Sequence, residues 1–401
     1  MTRAARSALV LATATNLISY CDRVCISVAA PQLRAEFGLS TNEMGWIFGA
    51  FSLAYSLFLA PWGALADRRN AAKLIAAIVT GWSIFTAATA SAWSLGSMLV
   101  IRFLFGVAES GLSPAVATVL ARSVESGRRS SAFGLFVGGG RLGGSIAPPI
   151  AALLVVHLGW RGMFLSFAGL GILLPGLWLR LRDDGSHSAA PSHRKEGADW
   201  RPLLRSRSLL LLMGVAFAYT VMWQFYPTWF PTYLVEARRF SLLESSWYAG
   251  LPFFFGLVAT WSGGILTDAV SARLGVRRGR MLVGTGSLLL AAALMAAGMW
   301  WPGREVAALL IALAAGAGDI LLGVCWAAAV EIGGGAAGAA SGLMNAASNA
   351  GGFVSPVVMG WAASAAGKWD SVLSLAVLAN ILAAVLWIAL HRNSQPGKGG
   401  R

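Results

Sequence analysis

IRFLFGVAESGLSP, residues 101–114, is apolar and glycine-bearing yet carries Arg102 and Glu109 in its interior. Their seven-residue spacing is close to two helical turns, so both charges stand on one helix face. On the lipid side of a membrane helix a charge costs roughly 2.5–3.5 kcal/mol on insertion scales, so this face must turn into protein. A second apolar run, NLISYCDRVCISVAA at 16–30, answers it with Asp22 and Arg23 at mid-length. Two acids and two bases on two spans read as a buried, charge-balanced site. Ionisable residues inside a membrane are functional candidates by default; the alternative for Asp22 and Arg23 is a structural ion pair.

The rest of the chain shares this apolar character. Its 401 residues are 57% hydrophobic and only 12% charged, against about 25% charged in soluble domains, and mean hydropathy is +0.66. One crossing needs about 20 apolar residues. Twelve such runs are expected, near 8–30, 43–66, 73–93, 97–121, 131–156, 162–181, 208–234, 245–269, 280–301, 305–330, 337–365 and 370–391. The fold class is therefore an all-α polytopic membrane protein.

A net charge of +14 invites a nucleic-acid reading, and the placement of the basic residues argues against it. With twelve crossings, Arg68, Arg69, Lys73, Arg122, Arg128, Arg129, the 180–207 cluster, Arg273, Arg277, Arg278, Arg280 and the 392–401 tail all fall on one side. The positive-inside rule makes that side, and both termini, cytoplasmic. The first apolar run continues through Asp22 and Arg23 to Pro31 without a small-residue cleavage site, so a retained first helix is expected rather than a signal peptide. Cys21, Cys25 and Cys325 lie within expected spans and make no disulfide or zinc pattern; small apolar packing is their plain role.

Along the chain, Tyr55 is the hydroxyl aromatic of the second span and serves either the site or packing. The joint GALADRRNAAK, 63–73, holds Gly63, Asp67, Arg68 and Arg69. It resembles the cytoplasmic loop signature of the major facilitator superfamily. It departs from that signature at Asn70, where a glycine usually follows the arginines; Asn tolerates the left-handed backbone, which would preserve the turn. Arg141, set among Gly138–Gly140, Gly143 and Gly144, is either a third buried cation or a snorkelling arginine near the interface. Residues 183–207 are abruptly polar and charged, which marks a linker between an N-terminal bundle, 1–182, and a C-terminal bundle with a short tail, 208–401.

A repeat supports two six-helix halves. GGSIAPP at 143–149 answers GGFVSPV at 351–357, and GWRGMFLS answers GKWDSVLS at the same offset of 208. A six-plus-six parallel repeat, with its site at mid-membrane between halves, is the arrangement the superfamily resemblance implies. In the second half, Gln224 and Tyr226 are amphipathic enough to line a polar cavity, whereas Trp229 and Tyr233 read as interface-belt residues. Asp319 and Trp326, seven apart, are expected on one face, and Asp319 would balance a third cation. Asn345 and Asn349, one turn apart, bind either solute or a neighbouring helix, since buried amides need partners.

No catalytic constellation, metal spacing or Walker sequence is visible, so neither an enzyme nor a cofactor is expected. SYCDR, FSLAYSL, RFLFGVAES, IAPP, TWFPTYL and SNAGGFVSP together resemble the anion:cation symporter branch, which includes sugar-acid and vesicular glutamate and sialic-acid carriers. The resemblance implies proton coupling by Asp22 and Glu109 and anion binding by Arg23 and Arg102, with Tyr20, Tyr55 and Asn349 among the matching site residues. Gln224, where sugar-acid members tend to place tyrosine, and Arg141 depart from the pattern. The expectation is a monomeric, proton-coupled importer of a small organic anion in a bacterial inner membrane, its partners being the anion, protons and the bilayer. The alternative on the same fold is an exporter or exchanger of an organic anion or drug-like solute.

Overall fold

The computed structural model describes residues 3–125, 128–180, 201–366 and 369–393. Among them the long elements are all helical and no strand occurs. The helices are α1 (Arg3–Phe37), α2 (Thr41–Arg68), α3 (Ala71–Thr89), α4 (Leu95–Glu109), α5 (Leu112–Ser123), α6 (Arg129–Arg180), α7 (Arg207–Trp223), α8 (Phe225–Thr228), α9 (Phe230–Glu236), α10 (Leu242–Leu274), α11 (Val276–Trp300), α12 (Arg304–Asp319), α13 (Leu321–Gly333), α14 (Ala337–Ala366) and α15 (Trp369–Asn393). Ten helical stretches of the described chain are long and apolar enough to cross a bilayer. Two exceed one crossing, with 50 residues in Ser131–Arg180 and 62 in Arg304–Ala365. Gly159, at φ +70, divides α6, and Gly334, at φ +49, separates α13 from α14. Both breaks fall in gaps between expected spans, and both sit at glycines in the left-handed region that L side chains avoid.

Local sequence fixes the helix starts. Ser40 and Glu43 form a capping box at α2, Ser94 and Ser97 one at α4, and Ser206 caps α7. Each satisfies backbone N–H groups that a first turn leaves open. Asn70 departs from the left-handed expectation. Its backbone is extended, at φ −65 and ψ 113, and its side chain accepts from Lys73 N at 2.9 Å. Here the asparagine serves as the N-cap of α3, so no glycine-like turn is required. The Asp67 side chain, and the expected linker up to residue 200, lie outside the described residues; Arg201–Arg205 forms a short 3-10 helix before α7.

The described chain packs as two compact units. One holds residues up to 180 together with 226–254 and 356–366; the other holds 201–225, 255–355 and 369–393. In the first, α1 lies against α6 so closely that a Cβ on Gly143 would stand 2.2 Å from Leu17 O. In the second, α14 meets α7 in the same way, a Cβ on Gly351 falling 2.6 Å from Phe217 O. Gly143 and Gly351 are the corresponding glycines of the 208-residue repeat, so the repetition in sequence is also a repetition in close helix approach.

Segments 226–254 and 356–366 join the first unit through specific contacts. Trp229 Nε1 donates to Pro356 O at 3.1 Å, and its ring meets Phe48 edge-on at 5.1 Å. Arg34 pairs with Glu236. Trp229 and Tyr233, expected in an interfacial belt, are instead fully buried. The proline-interrupted stretch turns their rings into protein, where Arg238 Nε donates to the Tyr233 hydroxyl at 2.6 Å.

Candidate functional site

The charges singled out in sequence converge within the first unit. α1 supplies Ser19, Tyr20, Asp22 and Arg23 over little more than one turn; α2 supplies Phe51 and Tyr55; α4 supplies Arg102, Phe105 and Glu109. Glycine permits the approach of α4 to α2, since a Cβ on Gly106 would fall 2.5 Å from Phe51 O. Gly106 lies one turn from both Arg102 and Glu109, so this close packing also fixes where their side chains emerge.

Glu109 is 1% exposed and forms an ion pair with Arg23, NH2 to Oε1 being 2.9 Å and Nε to the same oxygen 3.3 Å. The Ser19 hydroxyl donates to that oxygen as well. Arg23 keeps 22% of its side chain exposed. Its guanidinium lies 4.7 Å from the Tyr20 ring centroid, 5.1 Å from Phe51 and 5.0 Å from Tyr55. Three aromatic faces thus stabilise a cation whose hydration is reduced, an effect that reaches about 2 kcal/mol or more per contact when desolvated. Breaking the pair by removing one partner leaves a buried charge uncompensated.

Arg102 and Asp22 form the deeper half. Arg102 is 2% exposed and Asp22 1%. The Arg102 guanidinium rests 4.4 Å from the Phe105 ring centroid and 5.4 Å from Phe51. Asp22 feels the charges of both Glu109 and Arg102. The Phe51 ring thus meets both arginines, a role that its sequence context did not reveal. Ser19 escaped notice for the same reason, as a hydroxyl in an apolar helix that reads as packing.

The other sequence candidates stand elsewhere. Arg141 is half-buried on α6, and Tyr226 is buried against Phe230, their centroids 5.8 Å apart. In the second unit Gln224, half-buried, follows α7, and its N–H donates to Thr220 O at 2.9 Å. Asn345 and Asn349 are half-buried on α14, and Asn349 Nδ2 donates to Asn345 O at 2.9 Å, within their own helix. Asp319 is fully buried and accepts from the Tyr219 hydroxyl. Trp326 does not share its surroundings, for it is 46% exposed. Ile320, between α12 and α13, keeps right-handed helical backbone angles, φ −55 and ψ −33. No group of three or more His, Cys, Asp or Glu able to hold a metal occurs among the described residues.

Comparison with known proteins gives a consistent pattern. The Major Facilitator Superfamily profile matches residues 12–356. The probable sulfoacetate transporter SauU of Cupriavidus necator is 31% identical over 376 residues, covering 88% of this chain and 86% of that protein. The hexuronate transporter of Bacillus subtilis is 28% identical over 373 residues, covering 90% and 88%. Among solved structures, an inward-facing, unoccupied bacterial homologue of the human lysosomal transporter Spinster superposes with a TM-score of 0.83 at 19% identity, over 98% of each chain. At that identity the likeness is one of fold.

Proposed function

The chain belongs to the Major Facilitator Superfamily, and we propose that it imports a small organic anion, a sugar acid or a short sulfonate, together with protons by alternating access. Its relatives are named as transporters of sulfoacetate, hexuronate, galactarate or glucarate, and galactonate. All of these solutes carry a carboxylate or sulfonate that a guanidinium can hold through paired hydrogen bonds. The proposed setting is a bacterial inner membrane, crossed twelve times, with both termini cytoplasmic and the protein acting as a monomer. The proposed halves are 1–182 and 208–401, joined by 183–207.

The observation that carries this reading is the Arg23–Glu109 pair, 2.9 Å across, with its carboxylate buried and its cation partly open. While Glu109 is ionised it occupies the guanidinium. Protonation removes that competitor, and Arg23 becomes available to an incoming anion. Proton and anion binding then favour each other, and linkage makes the effect reciprocal. Arg102 supplies the second cation, Asp22 a second titrating carboxylate, and Tyr20 and Tyr55 flank the anion. Arg141, Gln224, Tyr226, Asp319, Trp326, Asn345 and Asn349 complete the proposed set of solute contacts.

Uptake into proteoliposomes tests the substrate class. With an inwardly directed proton gradient, at least one of sulfoacetate, galacturonate, galactonate and glucarate is expected to accumulate, and a protonophore should abolish the accumulation. Transport of none of them, or accumulation indifferent to the protonophore, would contradict the proposal.

A further inference from the structure

Phe51 of α2 is a ring on which both arginines meet, and the transport scheme gives it no part. Its centroid lies 5.1 Å from the guanidinium carbon of Arg23 and 5.4 Å from that of Arg102. Tyr20 and Tyr55 face Arg23, and Phe105 faces Arg102; Phe51 faces the two together. The ring is buried and is held in turn by its neighbours, tilted against Tyr55 with centroids 5.8 Å apart and against Phe105 at 5.5 Å. Its backbone is packed on α4 at Gly106, where a Cβ would fall 2.5 Å from Phe51 O and 3.0 Å from Ala54 Cβ. One fixed ring therefore touches a cation of α1 and a cation of α4.

A ring and a carboxylate hold a guanidinium in different ways. Glu109 Oε1 accepts from both Nη2 and Nε of Arg23, so it occupies donors that an anion would use. The face of a phenyl ring attracts the same cation through its quadrupole and supplies no lone pair for the N–H groups. Phe51 thus restrains Arg23 and Arg102 while leaving their donors to a ligand. Without that restraint each guanidinium is freer to settle on a carboxylate, and an arriving anion must first reorder both. Placement made before binding lowers that cost.

We propose that Phe51 is a positioning residue of the anion site, its ring holding the Arg23 and Arg102 guanidiniums in the mutual placement in which one anion binds both. The proposal rests on the reading that these two arginines receive the transported anion. It assigns Phe51 an electrostatic role, which separates it from the packing role of an ordinary apolar side chain in a membrane helix.

Phenylalanine analogues bearing one, two or three ring fluorines, incorporated at position 51 of the full-length protein, nearly keep the shape of the ring and drain negative charge from its face step by step. Calorimetric affinity for the best ligand of the uptake panel should fall with each added fluorine. The trifluorinated ring is expected to bind about tenfold more weakly, equivalent to about 1.4 kcal/mol. Phe51→Leu, which keeps an apolar side chain and removes the ring, should lose at least as much. An affinity that does not depend on the number of fluorines would overturn the proposal, and a loss confined to Phe51→Leu would assign the residue to packing alone. Failure of the transport reading is seen separately in the unsubstituted protein, as binding of none of the panel or as binding that survives both Arg23→Ala and Arg102→Ala; a flat fluorine series with strong, arginine-dependent binding removes only Phe51.

Discussion

Arg102→Ala is expected to weaken anion binding by about a hundredfold while leaving the protein folded and inserted. A charge-assisted hydrogen bond contributes about 1.5–3 kcal/mol, and tenfold in affinity corresponds to about 1.4 kcal/mol. Losing paired bonds to a carboxylate or sulfonate therefore lies near two orders of magnitude. Removing the guanidinium also leaves Asp22 with one cation fewer against Glu109, which acts on it from the same helix as Arg102. Arg102→Lys should recover only part of the affinity, because a lysine keeps the charge and loses both the planar fork and the flat face that rests on Phe105. Calorimetric titration with the best ligand of the uptake panel, on protein that elutes as a single species, measures both variants. Unchanged affinity in Arg102→Ala would remove Arg102 from the site.

Glu109→Gln should separate exchange from accumulation. The amide mimics the protonated acid, so Arg23 stays available and the variant is expected to bind the anion and exchange it across the membrane. It has no proton to deliver and should lose accumulation driven by a pH gradient. For one proton carried with one monovalent anion the cycle is electroneutral, and each pH unit sustains about tenfold accumulation because it corresponds to about 1.4 kcal/mol. The expected change is thus the loss of the tenfold per pH unit that Glu109 contributes, with counterflow retained. Loss of binding together with accumulation would mean that Glu109 contacts the anion itself.

Much of the first unit's site was legible because ionisable side chains are conspicuous in apolar helices. Asp22, Arg23, Arg102 and Glu109 drew attention by cost alone, and their convergence follows from two helices each placing charges on one face. The repeat was legible too, because close helix approach leaves a glycine signature at both Gly143 and Gly351. What escaped notice was neutral. Ser19 and Phe51 are ordinary residues in a membrane helix, and only packing shows that a carboxylate or guanidinium lies against them. Phe51, four residues before Tyr55, shares its face, but nothing in the pattern says that two arginines flank that face.

The misreadings have physical causes as well. Trp326, expected on the face of Asp319, differs from it in burial, 46% exposed against 0%. Trp229 and Tyr233 have the composition of an interfacial belt, yet nearby prolines and glycines let α9 turn them into protein. A Cβ on Gly360, for instance, would lie 2.9 Å from the Trp229 ring. Asn70 was judged against a left-handed turn when capping offered a less strained use for the same side chain.

The central claim is that anion and proton binding are linked through the Arg23–Glu109 pair, and the number of protons taken up with each anion tests it most directly. Detergent-purified protein in weakly buffered solution, mixed with the best ligand of the panel and followed with a pH indicator, should take up about one proton per anion bound when Glu109 starts ionised, as reciprocal linkage requires. Glu109→Gln should take up correspondingly less. Tight anion binding by the wild type with no proton uptake at any pH near neutrality would contradict the account.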